Sequence, residues 1–208
     1  MNDQTPIKRG RKYDQVLDGA RAVFMSDGYE GSSVDAIARA AGVSKATLYS
    51  YFADKRILFM EVAKAECCAQ MAEADIVLSD VHNPRAVLST AASRMLGFIL
   101  SDFGQSIFRM CVAESDRFPE LGREFYETGP KMFQARMTAY LRAAVEAGSL
   151  AIDDFELAAD QFHELCKASL FPELVFGIRR EVDDAERRRV IDGAVDTFLA
   201  RYGVAAAA

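Results

Sequence analysis

Residues 42–55 read GVSKATLYSYFADK, which places three rings, Tyr49, Tyr51 and Phe52, in a segment too short to bury them all. Set on a helix at about 100° per residue, Leu48 and Phe52 fall together on one side, where a neighbouring helix carrying Ile37 and Ala41 can cover them. Ala46 and Ser50 take the opposite side with Thr47 beside them, and Tyr49 and Tyr51 project from the two flanks. Small side chains in the middle let a helix sink into the major groove of DNA. Phenolic hydroxyls at its edges can donate to phosphate oxygens on either wall. The two tyrosines therefore read as clamps rather than as core.

The surrounding residues supply what a helix-turn-helix requires. Gly42 suits a left-handed turn, Ala38 a close helix contact, and Val34, Ile37, Val43 and Leu48 a small core that sets the crossing angle. Ser32 is an N-cap for the first helix, with Asp35 three residues on in a variant capping box; Ser44 and Asp54 cap the next two helices. Ser44 and Lys45 stand where unpaired N–H groups and the helix dipole attract a phosphate, and Lys55 repeats the arrangement one helix later. Before this motif, Val16, Leu17, Ala20, Val23 and Phe24 recur at helical spacing, and Gly28 is placed to stop that helix.

The net charge of −6 over 208 residues looks wrong for a nucleic-acid binder until it is divided along the chain. Up to Arg56 there are nine Lys and Arg against seven Asp and Glu, a net of +2; the remainder has 16 against 24, a net of −8. Lys8, Arg9, Arg11 and Lys12 form a basic arm, expected to lack structure ahead of Tyr13 because Pro6 and Gly10 resist helix nucleation. Half of the chain is apolar and only five residues are proline, which favours an all-α protein. The N-terminus has no apolar run of a signal peptide. The most apolar stretch, 86–100, is interrupted by Arg94 and is too short for a membrane span. A cytoplasmic protein without membrane contact is expected.

Beyond the motif, a helix from Lys55 runs through Leu58, Val62, Ala65 and Ala69 toward Ile76 and joins the front unit to the rest without a flexible linker. Helices are expected over 87–100, 105–115, 119–148, 155–171 and 184–202, with Gly148 as a C-cap and Pro172 ending or kinking the fourth of these. Cys67 and Cys68 are adjacent on one helix and point about 100° apart, so they do not share a bridge. His163 and Cys166 have i, i+3 spacing, but two ligands do not make a metal site. Neither a phosphate loop nor a nucleophile elbow occurs, so neither an enzyme nor a cofactor is expected.

The run SSVDAIARAAGVSKATLYSYFADKRILF, residues 32–59, resembles the DNA-binding signature of the tetracycline-repressor (TetR) family of bacterial regulators. The resemblance covers roughly 13–60, about a quarter of the chain. It implies an all-α homodimer divided into a basic arm (1–12), a three-helix DNA-binding domain (13–60) and a larger helical domain (61–208) for effector binding and dimerisation. By position it implies DNA contacts from Ser33, Ser44, Lys45, Ala46, Thr47, Tyr49 and Ser50, with base specificity on Lys45, Ala46 and Ser50, and backbone contacts from Tyr51 and Lys55. Arg9 and Arg11 resemble the Arg-Gly-Arg core of minor-groove hooks, although flanking prolines are lacking, and a solvated tail is the alternative. One departure stands at Asp35, where many relatives have a basic residue; an aspartate there repels the duplex and is expected to cap its helix instead.

Eleven of the fourteen phenylalanines lie after residue 90. Any one of them reads as ordinary core, but with the family resemblance Met95, Phe98, Ile99, Phe103, Phe108, Met110, Phe133 and Met137 become candidates for a cavity holding an apolar or aromatic effector. Phe162, Leu165, Val190, Val195, Phe198 and Leu199 lie on the last two helices, which in the family build the dimer interface. A single helix-turn-helix also reads only half a site, so two copies on a palindromic operator are expected independently. The expected function is a ligand-released repressor. The alternatives are a regulator switched by thiol oxidation or protein contact, and an enzyme or carrier using the cavity.

Overall fold

The computed structural model describes residues 10–74 and 80–204, with side chains 70–74 excepted. Lys8, Arg9, the end of the linking helix at Ile76 and the terminal alanines 205–208 lie outside the described residues. Eleven helices and no strand occur among them: α1 (Arg11–Gly31), α2 (Val34–Ala40), α3 (Lys45–Tyr51), α4 (Lys55–Ala74), α5 (Pro84–Ile99), α6 (Asp102–Glu114), α7 (Pro119–Thr128), α8 (Pro130–Glu146), α9 (Phe155–Lys167), α10 (Leu170–Val175) and α11 (Asp184–Tyr202). No single described helix is long and apolar enough to cross a membrane.

Local chemistry accounts for most helix ends. The Oγ of Ser44 accepts from the N–H of Thr47 at 3.1 Å, and Asp54 Oδ1 accepts from the N–H groups of Arg56 (2.8 Å) and Ile57 (3.1 Å). Burial by itself would raise the Asp54 carboxyl, but its bonds from Arg56 and Ile57 outweigh that and hold it below the usual carboxylate range. Gly28 (φ 70°) and Gly42 (φ 63°) take positive-φ conformations that kink α1 near its end and turn the chain between α2 and α3.

Several boundaries differ from expectation, and the helices expected over 87–100 and 105–115 each begin three residues earlier, at Pro84 and Asp102. Ser33, not Ser32, caps α2, its Oγ accepting from Ala36 N–H at 3.1 Å; the Ser32 hydroxyl is buried and donates to the Tyr29 carbonyl at 2.7 Å. Helix α1 begins at Arg11 with Gly10 as its cap, so Arg11 and Lys12 belong to the helix rather than to an arm. The expected helix over 119–148 is two, because Pro130 has no N–H and its ring clashes with the preceding turn. In the 155–171 segment the break falls at Ala168 (φ 29°), ahead of the proline; Pro172 sits in the first turn of α10, where a missing N–H costs nothing.

Two apolar clusters hold the helices together. The rear one joins α5, α8, α9 and α11 through side chains such as Leu88, Leu96, Leu141, Phe162 and Phe198. The front one gathers Val16, Phe24, Ile37, Leu48, Phe52 and Phe59, and continues past residue 60 into Phe103, Ile107, Met110 and Cys111 of α6 and Leu121 of α7. The helix-turn-helix thus shares its core with helices that follow it by some fifty residues.

Where α1 crosses the turn after α2, Gly19 lies against Ala41: a Cβ on Gly19 would stand 2.5 Å from the Ala41 nitrogen and 2.6 Å from its Cα. Backbone cannot yield as a side-chain tip does. Gly19→Ala is therefore expected to cost about 1–3 kcal/mol, measured as a lowered midpoint of denaturant unfolding with an unchanged slope.

Candidate nucleic-acid interface and effector cavity

Helix α3 has one buried residue, Leu48, with no exposed surface; Phe52, just beyond its end, is equally enclosed. Lys45, Ala46, Tyr49 and Ser50 are exposed, and Thr47 is half-buried. The outward hydroxyls are held by their own helix: Ser44 Oγ lies 2.9 Å from Thr47 Oγ1, and Ser50 Oγ donates to the Thr47 carbonyl at 2.6 Å. What remains is a narrow ridge of small residues with a tyrosine, 50% exposed, at one edge. The other tyrosine differs. Tyr51 is half-buried, its ring 5.9 Å from that of Tyr13 in an edge-on contact.

Two candidates are engaged within the protein. The Lys55 ammonium donates to the carbonyls of Tyr29 (2.7 Å) and Ser32 (3.0 Å) and lies 4.3 Å from the centre of the Tyr29 ring, so it latches the end of α1 to the start of α4 instead of projecting toward a phosphate. These carbonyls lie 26 and 23 residues earlier in the chain and are delivered by the kink at Gly28, which spacing alone does not reveal. Asp35 does not cap α2; its Oδ1 pairs with Lys45 Nζ at 2.7 Å. Ser33 spends its hydroxyl on the cap and remains exposed, and Arg11 is exposed at the first turn of α1.

A cavity of about 150 Å³ opens among α4 to α10. Six of the eight expected residues line it: Met95, Phe98, Ile99, Phe108, Phe133 and Met137. Phe103 and Met110 do not, because α6 has two apolar faces. Gly104 and Phe108, one turn apart, face the cavity, whereas Phe103 and Met110 turn into the front cluster, with Phe103 5.4 Å from the Phe59 ring. Aromatic walls are completed by Phe125 and Phe171, whose rings lie 6.3 and 4.9 Å from Phe108.

The polar part of this lining, Arg94, Arg136, His163 and Lys167, was not among the expected residues. Its one sequence signal is Arg94 interrupting an apolar run. His163 lies over Phe133 at 5.4 Å with Nδ1 3.3 Å from Glu164 Oε1; burial, assisted by nearby Lys167, pushes its pKa below the ordinary value and favours the neutral ring. Lys167 Nζ pairs with the same carboxylate oxygen at 2.6 Å. Cys166 turns away into the rear core, and the described residues contain no cluster of three metal-ligating side chains. Cys67 also lines the cavity, and burial pushes its thiol up to about 12.

The six residues expected at a dimer interface separate. Phe162, Val190, Val195 and Phe198 are buried in the chain's own rear core, Phe162 and Phe198 with ring centres 5.3 Å apart, and of the four Phe198 alone also reaches the floor of the outer groove of α9 and α11. Leu165 and Leu199 are half-buried at its edge. The outer side of α9 and α11 instead forms a shallow groove lined by Leu157, Gln161, Leu165, Thr197 and Tyr202, in which Tyr202 donates to Gln161 at 2.8 Å. An apolar stripe specifies that a helix face is covered, not whether its own chain or another covers it.

Comparison with known proteins places both halves of the chain. Residues 16–62 match the family model of bacterial regulatory proteins of the tetR family, and residues 86–204 match that of the AefR-like transcriptional repressor C-terminal domain. The repressor AcnR of Corynebacterium efficiens is 41% identical over 73 residues, which is 35% of this chain and only 38% of that protein's length. Full-length similarity comes from solved structures. A TetR-family regulator of Mesorhizobium loti is 30% identical with a TM-score of 0.79, covering 93% of this chain and 98% of that one. The flavonoid-responsive regulator FrrA is 34% identical with a TM-score of 0.67, covering 95% and 100%.

The unequal burial of the two tyrosines separates binding from stability. Tyr49→Ala should leave the unfolding free energy within about 0.5 kcal/mol while weakening duplex binding; Tyr51→Ala should also lower stability, by about 1 kcal/mol, through its lost ring contact with Tyr13. Denaturant titration beside fluorescence anisotropy checks both. Thiol chemistry should divide similarly: in native protein at pH 8, iodoacetamide should label exposed Cys68 and spare Cys67, read by peptide mass.

Proposed function

The chain belongs to the TetR family of bacterial regulatory proteins, and from that premise we propose that it is a repressor whose homodimer binds a palindromic operator and leaves it when an aromatic effector fills the cavity. In this reading Ser33, Ser44, Ala46, Thr47, Tyr49 and Ser50 approach the duplex, Lys45 reaches base edges, Tyr51 braces one wall and Arg11 extends the basic surface. Residues 13–60 act as the reading unit and 61–208 as the sensing and pairing unit.

The observation that carries the allosteric part is the double face of α6. Phe103 and Ile107 belong to the core that positions the reading unit, while Gly104 and Phe108 line the cavity on the other side. A ligand that displaces α6 displaces α1 and α4 with it, and with them the spacing of the two recognition helices. Only a difference in the effector's affinity for the two spacings is needed. Five phenylalanines around the cavity favour a flat aromatic body, and neutral His163 beside Lys167 offers polar groups for one end of it. The flavonoid response of FrrA supports an aromatic ligand class. A switch through Cys67 is disfavoured, since a thiol raised to about 12 is a poor nucleophile at neutral pH.

Pairing is assigned to the groove of α9 and α11. Leu157, 50% exposed in the single chain, is the apolar residue to be covered. Leu157→Asp should sediment as a monomer without loss of helicity and bind a selected operator at least tenfold more weakly, since each recognition helix then acts alone. Wild-type affinity should fall linearly in logarithm with salt, by a slope near −0.9 per phosphate contact. Phenolic and aromatic-acid ligands, titrated onto the operator complex, should release it. A salt-insensitive association, or an operator complex indifferent to any ligand that binds the cavity, would count against this function.

A further inference from the structure

Lys45 is the only charged residue of α3, and Asp35 neutralises it. Asp35 stands in the first turn of α2 and Lys45 opens α3; their side chains are 60% and 53% exposed, and Nζ lies 2.7 Å from Oδ1. Stability gives little reason for this pairing. An exposed ion pair contributes little, and Ser33 already caps α2. For affinity the carboxylate is adverse, because it cancels a cation on the surface that must approach phosphates. A group that costs affinity and adds little stability is explained if it discriminates among bases.

We propose that Asp35 and Lys45 form one base-reading unit, selecting a G·C pair at a fixed position in each half-site. In the major groove guanine presents the acceptors N7 and O6, and the cytosine paired with it presents the N4 amino donor beside O6. An ammonium and a carboxylate held side by side match this edge: Lys45 donates to guanine while Asp35 accepts from cytosine. An A·T or C·G pair in this register sets an acceptor opposite the carboxylate, desolvated and unpaired, so Asp35 rejects both; a T·A pair keeps an amino donor there but puts the thymine methyl where Lys45 would meet guanine N7. The ion pair seen in the free protein keeps both groups together until base edges replace their mutual contact. The inference rests on the DNA-binding reading of α3 and specifies which bases it selects.

The test is selection of bound duplexes from a randomised pool by the full chain and by its Asp35→Ala, Asp35→Asn and Lys45→Ala variants, with unfolding midpoints measured beside them. Wild type should enrich G·C at one position per half-site. Asp35→Ala should bring a cytosine preference of roughly 5- to 150-fold close to parity while tightening binding to random duplex. Asp35→Asn should move the preference toward adenine, whose N6 and N7 match an amide. Lys45→Ala should lose the guanine preference at the same pair. Identical base frequencies for wild type and Asp35→Ala would overturn the proposal, and so would a change in the unfolding midpoint alone. If wild type selects no sequence at all, the DNA-binding reading fails first and this proposal falls with it.

Discussion

The ring of Phe59 is the contact on which the arrangement depends. It has no exposed surface, and its centre lies 4.8 Å from Phe24 of α1, 4.8 Å from Tyr29 and 5.4 Å from Phe103 of α6. One side chain therefore joins the helix that backs the reading unit to a helix that walls the cavity. Helices α2 and α3 have seven residues each, too few to persist alone in water. They hold their crossing angle because α1 and α4 hold them, and α1 and α4 are themselves held by α6. The geometry presented to a duplex is in this sense a property of the whole chain.

Polar contacts follow the same path. Arg56, in the first turn of α4, donates to Asp54 at 2.8 Å and to Glu114 of α6 at 3.2 Å, and its guanidinium lies 3.7 Å from the centre of the Phe118 ring. Lys64 reaches Glu124 of α7 at 3.1 Å. These side chains are partly exposed, so their worth lies in orientation more than in stabilisation. Together with Lys55, which ties α4 back to the end of α1, they make α4 a strut fastened at several heights rather than a free lever.

Features that depend on adjacent residues were legible beforehand. The caps at Ser44 and Asp54, the turns at Gly42 and Gly28 and the outward ridge of α3 follow from chemistry spanning four or five positions. Errors began where two local partners competed or a distant group intervened. Ser32 and Ser33 are equal as caps until the Tyr29 carbonyl, three residues back, claims one hydroxyl. Lys55 resembles a phosphate contact until two carbonyls of the earlier turn accept its protons. Phe103 and Phe108 are alike as phenylalanines, and only the packing of α6 between two clusters sends them to opposite sides. The basic side chains in the cavity went unexpected because apolar periodicity has no means of assigning a charged residue to an interior.

By itself the sequence determined the all-α class, the helix-turn-helix and its outward residues, since periodicity, capping and turn chemistry act over one or two helical turns. The tertiary structure alone decided which face of each later helix meets its own chain, which meets a cavity and which stays exposed. Burial is a relation between distant segments, and a stripe of leucine or phenylalanine carries no record of what will cover it.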